Sequence, residues 1–582
     1  MPPDRAAGGL AVRFSTLVAL VLVAVALWWM FGRDEVHPPP QHQAATVDPA
    51  PEPLPPPPIA PRPPPPVVAQ EKVAPPPPVP HLQPGKFVTV VLSEPPALRY
   101  GSAQMSDSDA HYRDLVAEIG GRDVHYDPNL AQAARELVYQ TTEFGDVVPG
   151  DVRDFAIASA GALAADSTFQ QIRTNAEGDA TLRQAITSVV RGHSSQDGPL
   201  KVGVGEVYRQ GLPLPRHVGV IGTRVGVDLQ PLGVKLALGQ TWTLRGRLRA
   251  AWTDISALVL LADGTEQEVP VTVTGDTVSV AVLASVAGPL DVQLVGKGPS
   301  GPGKIVQVRA WVDRDPPDRM TAQVPADESK LTVAQAEGYA LQLLNVDRTK
   351  HHQPALQWDA QLAEIARQHS ADMRDHGFFG HQSPTTGLPG DRVKAAHYLE
   401  AGYAENVAHN GTLFEAQEGL MHSLGHRRNI LNADMTVVGL GVATKGTGKD
   451  RRFWLTQLFA KPALDLTPDR VETLVANVAN RARQAHGLPA LALDGPLSQA
   501  ARVGADQAVQ VAFEGAARAA LDEAKRQDLL RGSLSAHAVL TADPERVELP
   551  GSVLDAAARK LAIGVARAPG EARFAVVFLV LK

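Results

Sequence analysis

The apolar period of this chain changes several times, and each change marks a boundary. Residues 14–31, Phe14 to Phe31, are uncharged and almost wholly apolar, ending near Trp28-Trp29. Eighteen residues of helix rise about 27 Å, close to the thickness of a hydrocarbon core. Arg5 and Arg13 precede the stretch, and Arg33, Asp34 and Glu35 follow it. That bias predicts a cytoplasmic N-terminus (1–13), a transmembrane helix (14–31) and the bulk of the chain outside the cytoplasmic (inner) membrane, in an extracytoplasmic or periplasmic position. Ala24-x-Ala26 offers a competing signal-peptide cleavage site, but Leu27 to Phe31 extend the apolar run beyond it, which favours an uncleaved single-pass anchor.

Periodicity then vanishes. Between Pro38 and Pro84, 21 of 47 residues are proline. Residues 36–85 therefore read as a proline-rich linker in extended polyproline II form, with a reach of roughly 140 Å. Over 228–315 the period becomes two. Val234, Leu236 and Leu238 alternate, as do Val269, Val271 and Val273, Val278, Val280 and Val282, Leu290, Val292 and Leu294, and Val306 and Val308. Asp263-Gly264 and Gly275-Asp276 sit between runs as hairpin turns. This predicts a β-sandwich of immunoglobulin-like type, serving as a spacer or binding module. Helical spacing takes over at Ala336, Tyr339, Ala340, Leu343 and Leu344, and again at Leu362, Ala366, His369 and Met373, with Asp359 placed to cap the second helix.

Composition narrows the function classes. The net charge of −7 argues against a nucleic-acid partner, which needs a basic face. The chain has no cysteine, which excludes disulfides, a thiol nucleophile and thiolate zinc sites. Nine of the 18 histidines fall within 331–461, an enrichment that points to metal or proton chemistry.

Polar groups in that region sit in apolar company. They come in the order Asn345-x-x-Arg348, Trp358-Asp359-x-x-Leu362, His369-Ser370-x-Asp372-Met373, Phe379-x-His381-x-Ser383-Pro384, Glu405-Asn406, Gly425-His426-Arg427-x-Asn429-Ile430-Leu431 and Thr456-Gln457-x-Phe459. Seven motifs in this order resemble the bacterial type of the CAP (SCP-like) domain. The resemblance implies an α-β-α sandwich over 331–461, in which His381, Glu405 and His426 converge on an open cavity. Two imidazoles and a carboxylate could form a shell for a divalent metal such as Zn²⁺, with His381 and His426 as ligands; without metal, the glutamate would orient an imidazole.

Three positions depart from the family pattern. Animal and plant members have a second glutamate where Ser423 stands here, and one fewer carboxylate should weaken divalent metal binding. Ala404 replaces a glycine and Leu420 a tryptophan. Ser423 is also a candidate ligand contact, although its three-residue spacing from His426 is poor for a nucleophile and base. His351, His352, His369, His376, His397, His409 and His422 read as surface or packing residues, with His409 and His422 candidates for lining the cavity.

The same frame returns 135 residues later. Asn480, Arg483, His486, Pro489, Ala490, Leu491, Asp494, Leu497, Ala501 and Arg502 match Asn345, Arg348, His351, Pro354, Ala355, Leu356, Asp359, Leu362, Ala366 and Arg367. Residues 466–582 therefore read as a degenerate CAP-like unit without the site residues. A fainter echo at Asp127, Leu130, Ala134 and Arg135 makes 100–227 a candidate for another. The whole reads as an α+β multidomain chain on a transmembrane helix and stalk. Three functions stay open: binding of a small, lipid-like or cell-wall ligand, a metal-dependent hydrolase of peptide or wall bonds, and a non-catalytic envelope tether. The missing nucleophile weighs against the enzyme.

Overall fold

Asp359 starts the helix around which the central unit is built. Its carboxylate accepts the Gln361 and Leu362 amides at 3.0 and 2.9 Å, filling donors that a helix N-terminus leaves open. The helix ends at Gly377, which takes the left-handed conformation at φ 69°. The computed structural model describes Leu82 and residues 85–582, apart from 145–147, 176–179, 194–196, 300, 530–531 and 569. The transmembrane helix expected at 14–31 and nearly all of the proline-rich linker expected at 36–85 lie outside the described residues. Among those described, no helix is long and apolar enough to cross a membrane.

The central unit runs α1 (Val333–Lys350), β1 (Gln357–Trp358), α2 (Ala360–His376), α3 (Pro389–Ala395), β2 (Glu400–Asn410), α4 (Leu413–His422), α5 (Leu424–Leu431), β3 (Val437–Lys445) and β4 (Arg452–Pro462). Its sheet has the order β1-β3-β4-β2, with β1 parallel to β3 and the other pairs antiparallel. Helix α2 packs so closely on β3 that a Cβ on Gly441 would lie 2.1 Å from the Ala366 and Arg367 backbone. Only glycine permits that approach.

This frame occurs three times. In the C-terminal unit, Gly564 meets Ala501 and Arg502 at the same 2.1 Å, and in the N-terminal unit Gly205 meets Arg135 at 2.1 Å. The N-terminal sheet orders its strands as Val124–Tyr126, Leu200–Tyr208, Arg216–Arg224 and Ser167–Thr174, again with a parallel first pair. The C-terminal sheet keeps three strands, and Leu493 bridges Leu561 in parallel where β1 pairs with β3. Buried arginines do the same work in both later units. Arg348 donates to the carbonyls of Pro354, Ile430 and Asn432, and Arg483 to those of Pro489, Val553 and Asp555.

Between the N-terminal and central units lies a two-sheet β-sandwich. One sheet has the order Glu266–Val269, Thr253–Leu260, Gly288–Gly298, Gly301–Val312, Lys235–Leu236; the other has Thr272–Thr274, Thr277–Leu283, Thr241–Leu248, Val227–Leu229. Both expected hairpin turns are present, with Gly264 and Gly275 at φ 86° and 61°. The alternating valines and leucines at 278–282 and 290–294 fill the core. Leu238 and Val273 are instead exposed: Leu238 lies past the edge strand Lys235–Leu236, and Val273 sits on the three-residue edge strand Thr272–Thr274. Residues Arg319–Gln323 then turn back to pair with Phe87–Val91, tying the linker before the central unit to the start of the described chain.

Candidate functional site

Strand β2 is the edge of the central sheet, and side chains on one of its faces alternate Glu405, Val407, His409. Glu405 is buried at 7% exposure. Its Oε1 accepts from His381 Nδ1 at 3.0 Å and its Oε2 from Arg392 at 2.6 Å. The Arg392 guanidinium also donates to the carbonyls of His381 and Gly387, so one side chain neutralises the glutamate and clamps the histidine loop. Burial pushes the Glu405 carboxyl up. The His381 hydrogen bond and the Arg392 charge outweigh it and leave the group below the usual carboxylate range. When His381 is neutral, donation from Nδ1 leaves the lone pair on Nε2.

The loop that carries His381 is held from both ends. Asp372 accepts from the Ser383 hydroxyl and, at 2.9 Å, from that of Thr385. His369, fully buried on α2, bonds the Gly380 carbonyl at 3.0 Å and lies 3.9 Å from Glu405.

His426 reaches the cluster from α5. Its ring centroid is 6.4 Å from that of His381, with the planes tilted by 41°. Burial, followed by the His381 charge, pushes its imidazole down to about 4, so it is neutral at ordinary pH. The His426 carbonyl accepts from Asn406 at 3.2 Å. Asn406 belongs to a buried amide chain that continues through Gln457 and Gln417 to Asp347. The Glu-Asn and Thr-Gln motifs therefore wire the site into the sheet.

Of the four sequence candidates, the structure gathers His381, Glu405 and His426. Ser423 lies at the α4–α5 junction as the N-cap of α5, without a side-chain cap bond. His409 on β2 stacks on Trp454 of β4 at 4.3 Å and lies 6.3 Å from Phe379 of the His381 loop, forming an aromatic step. His422 turns away and lies 4.0 Å from Asp154 of the N-terminal unit. Sequence reasoning missed Arg392 altogether and assigned His369 only to packing.

A catalytic zinc takes three protein ligands. Each Glu405 oxygen already accepts a hydrogen bond, and among the described residues no group of three His, Asp or Glu side chains is placed to hold a metal. The donor set does not fit the Zn²⁺ expected on His381 and His426.

Residues 341–459 match the family model "CAP: Cysteine-rich secretory protein family". This part of the chain is a CAP domain. It keeps the fold of a family named for cysteines in a chain that has none. Over 129 residues it is 40% identical to the "Uncharacterized membrane protein YlbC" of Bacillus subtilis (strain 168), which covers 22% of this chain and 34% of that protein. Over 133 residues it is 38% identical to the "Uncharacterized protein YkwD" of the same organism, covering 22% and 49%. The chain thus spans about a third to a half of these relatives. Among solved structures, an extracellular SCP-domain protein from Bacillus anthracis str. Ames is 25% identical, covers 39% of this chain and 68% of its own, and has a TM-score of 0.20.

The sheet registers show what the CAP domain has and its sister units lack. Glu405 pairs across Leu458 to Gly439, the glycine packed on Leu362. The same steps from Gly203 in the N-terminal unit lead through Ile221 to Phe169. In the C-terminal unit they lead from Ala562 through Leu579 to Ala536. Neither residue can hold a charged partner.

Proposed function

We propose that this chain is an envelope protein whose CAP domain binds a small cell-wall or lipid-derived ligand at His381, Glu405 and His426. The carrying observation is the buried Glu405, held by His381 and Arg392 in the one unit whose register supplies a carboxylate. Maintaining a buried ion pair is costly, and such groups persist where they serve a site. His426, neutral, and His381, with its Nε2 lone pair, offer hydrogen bonds without net charge. The aromatic step of Phe379, His409 and Trp454 offers flat apolar surface beside them. This suits a neutral polar ligand with an apolar face.

In the same reading, residues 14–31 anchor the chain in the cytoplasmic membrane and 36–85 lift it into the envelope. YlbC, described as a membrane protein, accords with that placement. The donor set favours binding over metal-assisted hydrolysis.

The test is calorimetry of the full chain with soluble glycopeptide fragments of the wall and, separately, with phosphatidylglycerol vesicles. Binding of either that falls at least tenfold in His381→Ala and His426→Ala supports the reading. If neither probe binds the native chain, or binding survives both substitutions, the tether remains.

A further inference from the structure

We infer that the β-sandwich is a working part of the CAP site, and that Gln293 is a positioning residue for His426. Gln293 lies on the strand Gly288–Gly298, between the core residues Val292 and Leu294. Period two therefore turns its side chain to the outer face of the sandwich. Yet Gln293 is only 1% exposed. What covers it is the α4–α5 junction of the CAP domain.

The amide fits that junction with both of its ends. Nε2 donates to the His422 carbonyl at 2.6 Å, and Oε1 accepts the Leu424 N–H at 3.0 Å. His422 is the last residue of α4 and Leu424 the first of α5. One side chain thus satisfies a terminal carbonyl of one helix and a first-turn amide of the next, groups that helices cannot satisfy internally. Ser423 stands at the N-cap of α5 and makes no side-chain cap bond. The cap comes from another domain.

His426 is two residues further along, and its neighbours are gripped by the same sheet. Arg427, buried at 6%, donates to Glu266 at 2.6 Å, and Arg428 reaches Glu268 at 2.9 Å. Behind Gln293 the polar chain continues. Its Nε2 also donates to Gln307 at 3.1 Å, which accepts from Lys304 at 3.1 Å, and Lys304 pairs with Asp166 of the N-terminal unit at 3.3 Å. Within the CAP domain the His426 carbonyl accepts from the Asn406 side chain. The imidazole is therefore aimed by an inner amide and an outer one, and the outer one belongs to the sandwich.

This inference rests on the proposed site for its purpose but not for its test. Full-length chain is treated with diethyl pyrocarbonate, which modifies neutral imidazoles, and each histidine is followed by peptide mass spectrometry with exposed His409 as reference. Gln293→Leu keeps the volume and removes both junction bonds together with the one to Gln307. It is expected to raise the His426 rate about tenfold relative to His409, because the junction loses two buried hydrogen bonds.

Gln293→Glu supplies a signature that packing alone does not. A protonated glutamic acid has one O–H donor and one carbonyl acceptor, enough for the two junction bonds but not for the bond to Gln307, and burial raises its pKa. That variant is expected to match the native His426 rate at pH 5 and the leucine variant at pH 8. A His426 rate within twofold of native in Gln293→Leu overturns the inference. Should the leucine variant fail to fold, a glutamate variant whose rate ratio to native is the same at both pH values overturns it. A native chain that binds no wall or lipid probe leaves this result intact and removes only the proposed function.

Discussion

Arg392 decides the chemistry of the site at the level of single residues. Its side chain and that of Glu405 are 4% and 2% exposed, so removing one leaves the other charged and buried. Arg392→Ala should cost about 3–5 kcal/mol, against about 1 for an exposed pair, read from the denaturation midpoint of the full chain. A loss below 1 kcal/mol would mean that water reaches the carboxylate. Because Glu405 sits below the usual carboxylate range, its contribution is complete above that range and disappears as pH falls through the folded value. His426 acts in the same direction in a higher window. Folding pushes its imidazole down to about 4, so stability is complete above about pH 6.5 and is lost as pH falls from there toward 4. His426→Gln should flatten the melting temperature across that stretch, and an unchanged slope would refute the assignment. His381, Glu405 and His426 were legible as an ordered set of motifs. Arg392 was not, because nothing in the local pattern of α3 marks an arginine that meets a strand residue 13 positions on.

Helices and strands were legible where their residues report a local cause. Asp359 read as a cap, and both it and its repeat counterpart Asp494 cap. The period-two runs found most of the sandwich. The strand Thr241–Leu248 escaped notice because Trp242 and Leu244 alternate with arginines and threonines in a stretch that also contains Gly246. The start of α4 is held twice: Thr412 is a local cap that accepts the Glu415 amide at 3.1 Å, while the second holder, Glu328, lies 85 residues before Leu413 and no local pattern shows it. Glu328 accepts the Leu413 and Phe414 amides at 2.5 and 3.0 Å while only 2% exposed. Burial raises its carboxyl to about 7 despite those bonds. The folded state thus holds this proton better than the unfolded one. The associated stability is complete below about pH 4.3 and is lost as pH rises to about 7. Glu328→Gln should remove this decline, which a pH series of urea midpoints would reveal. The shared frame makes its own prediction. Gly441→Ala and Gly564→Ala each drive a Cβ into helix backbone at 2.1 Å, and each should cost about 3 kcal/mol or more. Denaturation monitored in the two units would separate them, and a silent Gly564→Ala would show that the C-terminal frame relaxes where the CAP frame does not.

At the scale of the molecule, the sandwich read as a spacer or a binding module because its residues carry no chemistry of their own. What the sequence hides is that its outer face is spent on a neighbour. Gln293, Glu266 and Glu268 look like ordinary solvent-facing positions in an alternating strand, and only docking gives them partners in α5 and the α4–α5 junction. The chain crosses from sandwich to CAP domain through the exposed stretch Asp313–Asp315, then pairs Arg319–Gln323 with Phe87–Val91. The two sides are therefore joined by one covalent link and several noncovalent ones. A protease site placed at Asp313–Asp315 should cut that link without parting the pieces. The ladder of Phe87–Val91 and the buried Gln293 and Arg427 bonds span the cut, whereas surface ion pairs such as Arg428 with Glu268 would weaken in salt. The cleaved fragments should co-elute in size exclusion at low salt and at 1 M NaCl alike. Separation at high salt alone would mean that charge holds the units together. Separation at both would mean that the sandwich does not dock on the CAP domain in solution, and His426 would then have to be aimed from within its own domain.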